Sequence, residues 1–114
     1  MPSVNHCYVH IGHGRKALSK IGRAWKEEAQ YIAKAEAKKQ NWIYCKGKKV
    51  VLELMAYWPD YRTRDMSNMH KLLPDALQDI LFDNDKWVLV RDIDFEVDKN
   101  NPRVEIKIYP LEAV

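Results

Sequence analysis

Asp65, Asp83 and Asp85 bracket an apolar helical stripe, and Lys71 stands inside the bracket. Carboxylate oxygens in loops at the ends of strands and helices are the donors that hard cations take. Mg²⁺ in particular is held by one or two carboxylates and completes its shell with water and phosphate oxygens. A metal held that way activates a water and offsets charge on a scissile phosphate. A lysine beside it can neutralise the developing phosphorane charge or orient the nucleophile. The same residues have a plainer reading. Asp near a helix start caps it, and Asp after a helix marks a turn. Spacing alone leaves both readings open.

The elements that would position these groups follow from periodicity. Met69, Leu72, Leu73, Ala76, Leu77, Ile80 and Leu81 make a helical stripe over about Asn68 to Leu81. Pro74 falls inside it and should kink or divide the helix, because it removes one backbone bond. An earlier helix is expected from an N-cap at Ser19 to about Gln40, with Ile21, Trp25, Ala29 and Ile32 on one face. Strands are expected at Val4–Ile11, Lys48–Tyr57, Trp87–Val97 and Arg103–Tyr109. In the second, Val50, Leu52, Leu54 and Ala56 face one way and Val51, Glu53, Met55 and Tyr57 the other. That pattern suits a central strand covered on both sides. In the third, Leu89, Ile93, Phe95 and Val97 are set against Asp92, Asp94 and Glu96. The order β-α-β-α-β-β predicts an α/β (α+β) sandwich on a mixed sheet with two main helices, in a single domain over residues 1–114.

The totals bound the function. A chain of 114 residues builds one core without staples. The longest aliphatic run stops at Glu53, which predicts no membrane span. The start lacks a basic segment followed by an apolar one, and the two cysteines, Cys7 and Cys45, make no disulfide framework, so a cytoplasmic protein with reduced thiols is expected. Net charge is +3, but residues 10–49 hold eleven Lys/Arg against three Glu and residues 50–114 hold eight against thirteen Asp/Glu. A basic front and an acidic back suit a protein that grips a polyanion and holds a cation beside it. Well-solvated lysine-rich helices would give the same count. The loop Gly12–Lys16 is basic but lacks the Gly-Lys-Ser/Thr ending of a phosphate-binding P-loop. His6 and His10, with Cys7 and His13 nearby, read as partly exposed histidines rather than as a zinc site, which needs three or four converging ligands.

The stretch "RDMSNMHKLLPDALQDILFDND" resembles the core motif of the RusA family of Holliday-junction resolvases, common in phages and prophages. Arg64, Asp65 and Asn68 match its opening, Lys71 its lysine, Asp75-Ala76-Leu77 its middle and Asp85 the second acid of its closing pair. "PSVNHCYVH…GRKALSKIGRAWKEEA" resembles the family's front end. The resemblance implies a homodimer that binds four-way DNA junctions and cuts them in pairs with Mg²⁺, for which Mn²⁺ can substitute. It also implies that Asp65 and Asp85 are catalytic metal-binding carboxylates, that Lys71 is the catalytic lysine and that Asn68 supports the loop. Two positions depart from the pattern. Ser67 replaces the second aspartate of the opening, and Asn84 the first acid of the closing pair. Asp83, or a water held by Ser67, could take up the lost role; Ser67 also suits a plain helix N-cap. A dimeric protein that binds DNA without cutting it is therefore the alternative, and a nuclease acting on flaps or single strands is a third.

A fourteen-residue helix is about 21 Å long, whereas two ligands of one Mg²⁺ lie within about 5 Å of each other. Asp65 and Asp85 therefore need either a segment folded back at Pro74 or a site shared across a two-fold axis. Arg15, Lys16, Lys20 and Arg23 at the front, with Arg62 and Arg64 beside the acids, are the candidate phosphate ligands. If about six of them bind duplex phosphates, log affinity falls with log salt at a slope of about −5. Trp42, Tyr61 and Trp87 could stack on unpaired bases, although aromatics flanking strands more often pack in cores.

Overall fold

Alternation decides the sheet. Over Arg103–Pro110, Val104, Ile106 and Ile108 are buried, while Arg103, Glu105, Lys107 and Tyr109 stay half-exposed. Over Cys7–Ile11, Cys7, Val9 and Ile11 are buried and Tyr8 and His10 are exposed. One face of each strand thus meets the core and the other meets solvent. In a computed structural model, which describes residues 5–12, 23–59 and 66–111, the order is β1 (Cys7–Ile11), α1 (Arg23–Lys39), β2 (Val50–Trp58), α2 (Met66–Leu77), β3 (Val88–Val97) and β4 (Arg103–Pro110). A 3₁₀ turn over Asp85–Trp87 precedes β3. The β-α-β-α-β-β order and the mixed sheet agree with the expectation.

The four strands lie side by side as β1-β4-β2-β3. β4 pairs antiparallel with both β1 and β2, and β2 pairs parallel with β3. β2 is therefore central, as its burial implied. Its second face is not covered by another layer of described residues: Val51 is buried, but Glu53, Met55 and Tyr57 are only half-buried, among side chains of neighbouring strands. That outer face is polar. Tyr109 donates to Glu53 at 2.6 Å, and the Arg103 guanidinium lies 3.8 Å over the Tyr57 ring.

Both helices cover the inner face. Trp25, Ala29 and Ala33 of α1 and Met69, Leu73, Ala76 and Leu77 of α2 join Val50, Leu52, Leu54, Ala56 and Trp58 of β2 in one core. Trp42 packs against it and donates from Nε1 to Leu81 O at 2.9 Å, a structural role for that ring. α1 ends where Asn41 takes a positive φ of 57°. The expected Ser19 cap and Ile21 fall outside the described residues. α2 ends at Leu77, four residues short of the expected stop, because the chain reverses there. Ile80 N and Leu81 N both donate to Leu77 O at 3.1 Å, and Asp79 has φ 69°. Pro74 lies within α2 and does not terminate it. Cys7 and Cys45 are free thiols buried in the core, and desolvation, followed by the Glu36 charge, raises Cys7 to about 11. Among the described residues no helix is long and apolar enough to cross a membrane.

β3 departs from its expected faces. Leu54 pairs with Asp92 but Met55 pairs with Asp94, so Ile93 is an extra, bulged residue. A bulge exchanges the faces of everything beyond it. Val88, Val90, Asp92, Phe95 and Val97 align with the inner-face residues of β2, and Leu89, Arg91, Asp94 and Glu96 with the outer-face ones. Phe95 and the acids on either side of it therefore lie on opposite faces, as alternation requires, but Leu89 and Phe95 do not share one.

Candidate active site

The bracketing acids belong to the β2–α2–β3 crossover. α2 forms because Met69, Leu73, Ala76 and Leu77 recur at helical spacing and bury completely against the sheet. That leaves Lys71 and Asp75, four residues apart, on its solvent side. Two polar contacts orient the helix. Lys26 Nζ of α1 meets Asp75 Oδ2 at 2.8 Å, and His70 Nε2 meets Asp92 Oδ1 of β3 at 2.7 Å. Neither contact was legible in the sequence, because each joins residues on separate elements.

Beyond α2 the chain is built to hold a turn. Asp79 N donates to Phe82 O at 2.7 Å, and Leu81 and Phe82 are fully buried. Asp83 N donates to Cys45 O at 3.1 Å, and the Asp83 carboxylate accepts from Gly47 N at 3.0 Å. Gly47 takes φ 63°, which glycine adopts without the Cβ penalty. Asp83 thus fastens the 45–47 loop. Tyr44, above the same turn, has its hydroxyl pushed above the ordinary value, first by desolvation and then by the charges of Asp79 and Asp83. Asn84 caps the 3₁₀ turn, its Oδ1 accepting from Lys86 N at 2.9 Å. Asp85 N donates to the Gln78 side chain at 2.9 Å, and the residue is exposed.

Topology separates the two ends of the bracket. β2 and β3 run the same way, so α2 returns along the sheet between them. Val88 sits beside Val50 at the start of β2, and Val97 beside Trp58 at its end. The His70–Asp92 contact places the second turn of α2 level with the middle of β3. Met66, the first residue of α2, lies on the Trp58 side of that contact, and Asp85 lies on the Val50 side. α2 is twelve residues long, about 18 Å. Its start and Asp85 are therefore farther apart than two ligands of one ion. Among the described residues no three His, Cys, Asp or Glu side chains converge to hold a metal.

The other predicted residues divide by where they fall. Asp65, Arg62, Arg64, Arg15, Lys16, Lys20 and Tyr61 lie outside the described residues, as does His13. Ser67 and Asn68 are in the first turn of α2 and Arg23 begins α1, and only their backbone is described. Lys71, Asp83 and Asp85 are described in full.

One comparison decides what this crossover belongs to. The family model for endodeoxyribonuclease RusA matches residues 1–109, nearly the whole chain and both ends of the acidic bracket. The chain belongs to the RusA endodeoxyribonuclease family. A RusA chain is a DNA nuclease, of a family that resolves Holliday junctions. Comparison with curated proteins finds no match.

Proposed function

We propose that this RusA protein is a Mg²⁺-dependent, structure-selective endonuclease that resolves four-way DNA junctions by paired cuts in recombination and repair. It would work in the cytoplasm as a homodimer. The match over residues 1–109 carries the reading, because it spans the opening and the closing of the acidic motif. Asp65 and Asp85 are the proposed metal-binding carboxylates, with Asp83 and Ser67 beside them and Asn68 supporting the loop. The donors fit a hard cation: they are oxygens, and Asp85 is an exposed carboxylate on a turn held by backbone and Gln78. A bound Mg²⁺, or Mn²⁺ in its place, would supply a polarised water and positive charge at the phosphate. Lys71, exposed on α2, would steady phosphate charge. Arg15, Lys16, Lys20, Arg23, Arg62 and Arg64 would hold the backbone phosphates. The separation of the α2 start from Asp85 favours a site shared by two chains.

The test is incubation with a four-way junction and a matched linear duplex, with Mg²⁺ or with EDTA. Symmetric cuts in the junction only, and only with Mg²⁺, are expected. Equal cutting of both substrates would remove junction selectivity.

A second reading, a junction-binding dimer that does not cut, is favoured by Asn84. Its side chain serves the 3₁₀ turn as a cap, and the Asp83 carboxylate is engaged by Gly47 N, so the closing segment offers Asp85 as its one carboxylate without such a bond among the described residues. Asn84→Asp separates the readings. Aspartate caps as well as asparagine, so stability should change by less than about 0.5 kcal/mol. A variant that cuts where the parent only binds establishes the second reading.

A further inference from the structure

The loop between α1 and β2 is tightly held, yet it turns apolar side chains to solvent. Its backbone and its indole ring are fastened at successive residues. Trp42 donates from Nε1 to Leu81 O at 2.9 Å, and Asn5 accepts from Ile43 N at 2.9 Å and donates to Ile43 O at 3.0 Å. Cys45 N donates to Leu81 O at 3.2 Å, and Cys45 O and Gly47 N both bond to Asp83. Between these anchors Ile43 is 66% exposed and Tyr44 44%. Lys46, Lys48 and Lys49 follow, all exposed. A lone exposed apolar side chain is ordinary. Two adjacent ones on a backbone fastened this often make a rigid prong, and rigidity lowers the entropy lost when a ligand is met.

The position of the prong says what it meets. Its anchors, Leu81 and Asp83, lead directly into Asp85, so the prong and that carboxylate belong to one unit beside the starts of β2 and β3. An aliphatic side chain wedges base steps apart, and a phenol ring stacks on any base. Bases inside a linear duplex are stacked on both faces, whereas bases at a branch point unstack at lower cost. The lysines carry the charge that phosphates attract. The charges of Asp79 and Asp83 reach Tyr44 and disfavour a phosphate at the ring itself, which leaves a base as its partner.

We propose that Ile43 and Tyr44 pack against a base at the branch point of a DNA junction while Lys46, Lys48 and Lys49 hold the adjoining phosphates, which positions the strand beside the Asp85 turn. The inference rests on the nuclease reading above and adds to it the residues that tell a branched duplex from a linear one. Ile43 and Tyr44 are positioning residues.

Fluorescence anisotropy of the full chain in EDTA, with a four-way junction and a matched linear duplex as probes, reads binding apart from cutting. I43A/Y44A should bind the junction about tenfold more weakly and the linear duplex as the parent does, with circular dichroism unchanged. K46Q/K48Q/K49Q should weaken both probes alike and make the slope of log affinity against log salt shallower by about 3. A junction carrying iodouracil at the branch point should cross-link on irradiation to the parent and to Tyr44→Phe but not to Tyr44→Ala, which keeps the test informative if the double variant fails to fold. Junction affinity unchanged in I43A/Y44A, an equal loss on both probes, or a cross-link that survives Tyr44→Ala overturns the prong and leaves the nuclease reading standing. An unchanged salt slope overturns the role of the lysines. A parent that binds neither probe overturns the nuclease reading and the prong with it.

Discussion

The two edges of the sheet treat the same hazard in opposite ways. β1 is five residues long, alternates strictly and is closed by Gln40. The neighbouring loop uses the same device: Asn5 accepts from Ile43 N at 2.9 Å and donates to Ile43 O at 3.0 Å. β3 is twice as long, bulged, and carries its most exposed apolar side chains beside Asp and Arg. A side-chain amide that satisfies both backbone groups ends a sheet, whereas a long edge that keeps apolar side chains exposed is a template for another strand. The contrast teaches that an exposed apolar strand can be a specification rather than a defect.

The sharpest way to break the contrast is Phe95→Asp. If the β3 edge is where two copies associate, loss of a central aromatic costs about 2 kcal/mol, so association should weaken about thirtyfold, and junction cutting at low protein concentration should fall with it. Unchanged association would make β3 an ordinary edge. Next in size is Gln40→Ala at the guarded edge. It opens Tyr8 N and O to water and should cost about 0.5–1.5 kcal/mol in denaturant unfolding; no loss would mean that the amide does not stabilise this edge.

A smaller effect is expected at the far end of β3. Arg103 holds the Asp98 carboxyl below its ordinary value, chiefly by their 2.9 Å hydrogen bond, with help from Asn101 N and Asn100 N. The ionised form is thus favoured by folding. Its contribution is complete above the ordinary carboxylate range and is lost as pH falls through the lowered folded value. Acid titration of stability should therefore be shallower in Asp98→Asn than in the parent, and identical curves would dismiss the pair. The smallest effect belongs to Lys26–Asp75, remote from both edges and 42% and 57% exposed. A double-mutant cycle should give less than about 0.5 kcal/mol.

Much of this is legible in the sequence. The α1 and α2 stripes and the alternation of β4 reported their buried faces correctly, because each depends only on neighbours along the chain. The stop of α2 at Leu77 was not, because Ile80 and Leu81 continue the apolar period while turning with Asp79 into a hairpin. Nor were the faces of β3, since a bulge exists only relative to the strand it pairs with. Asn84 was visible as a missing charge, but its duty as a cap needed the 3₁₀ turn. The acids named from the motif follow from types and order; how far the start of α2 lies from Asp85 depends on the parallel pairing of β2 with β3, about which periodicity along the chain is silent.

The parallel pairing of β2 with β3 has a consequence for the cell. On the assembly proposed above, a newly made solitary chain holds half of a cutting centre at each end of its crossover and is harmless to chromosomes. Cleavage would then begin only once abundance passes the dimer constant, so the specific activity should fall on dilution, and the architecture itself would meter when DNA is cut.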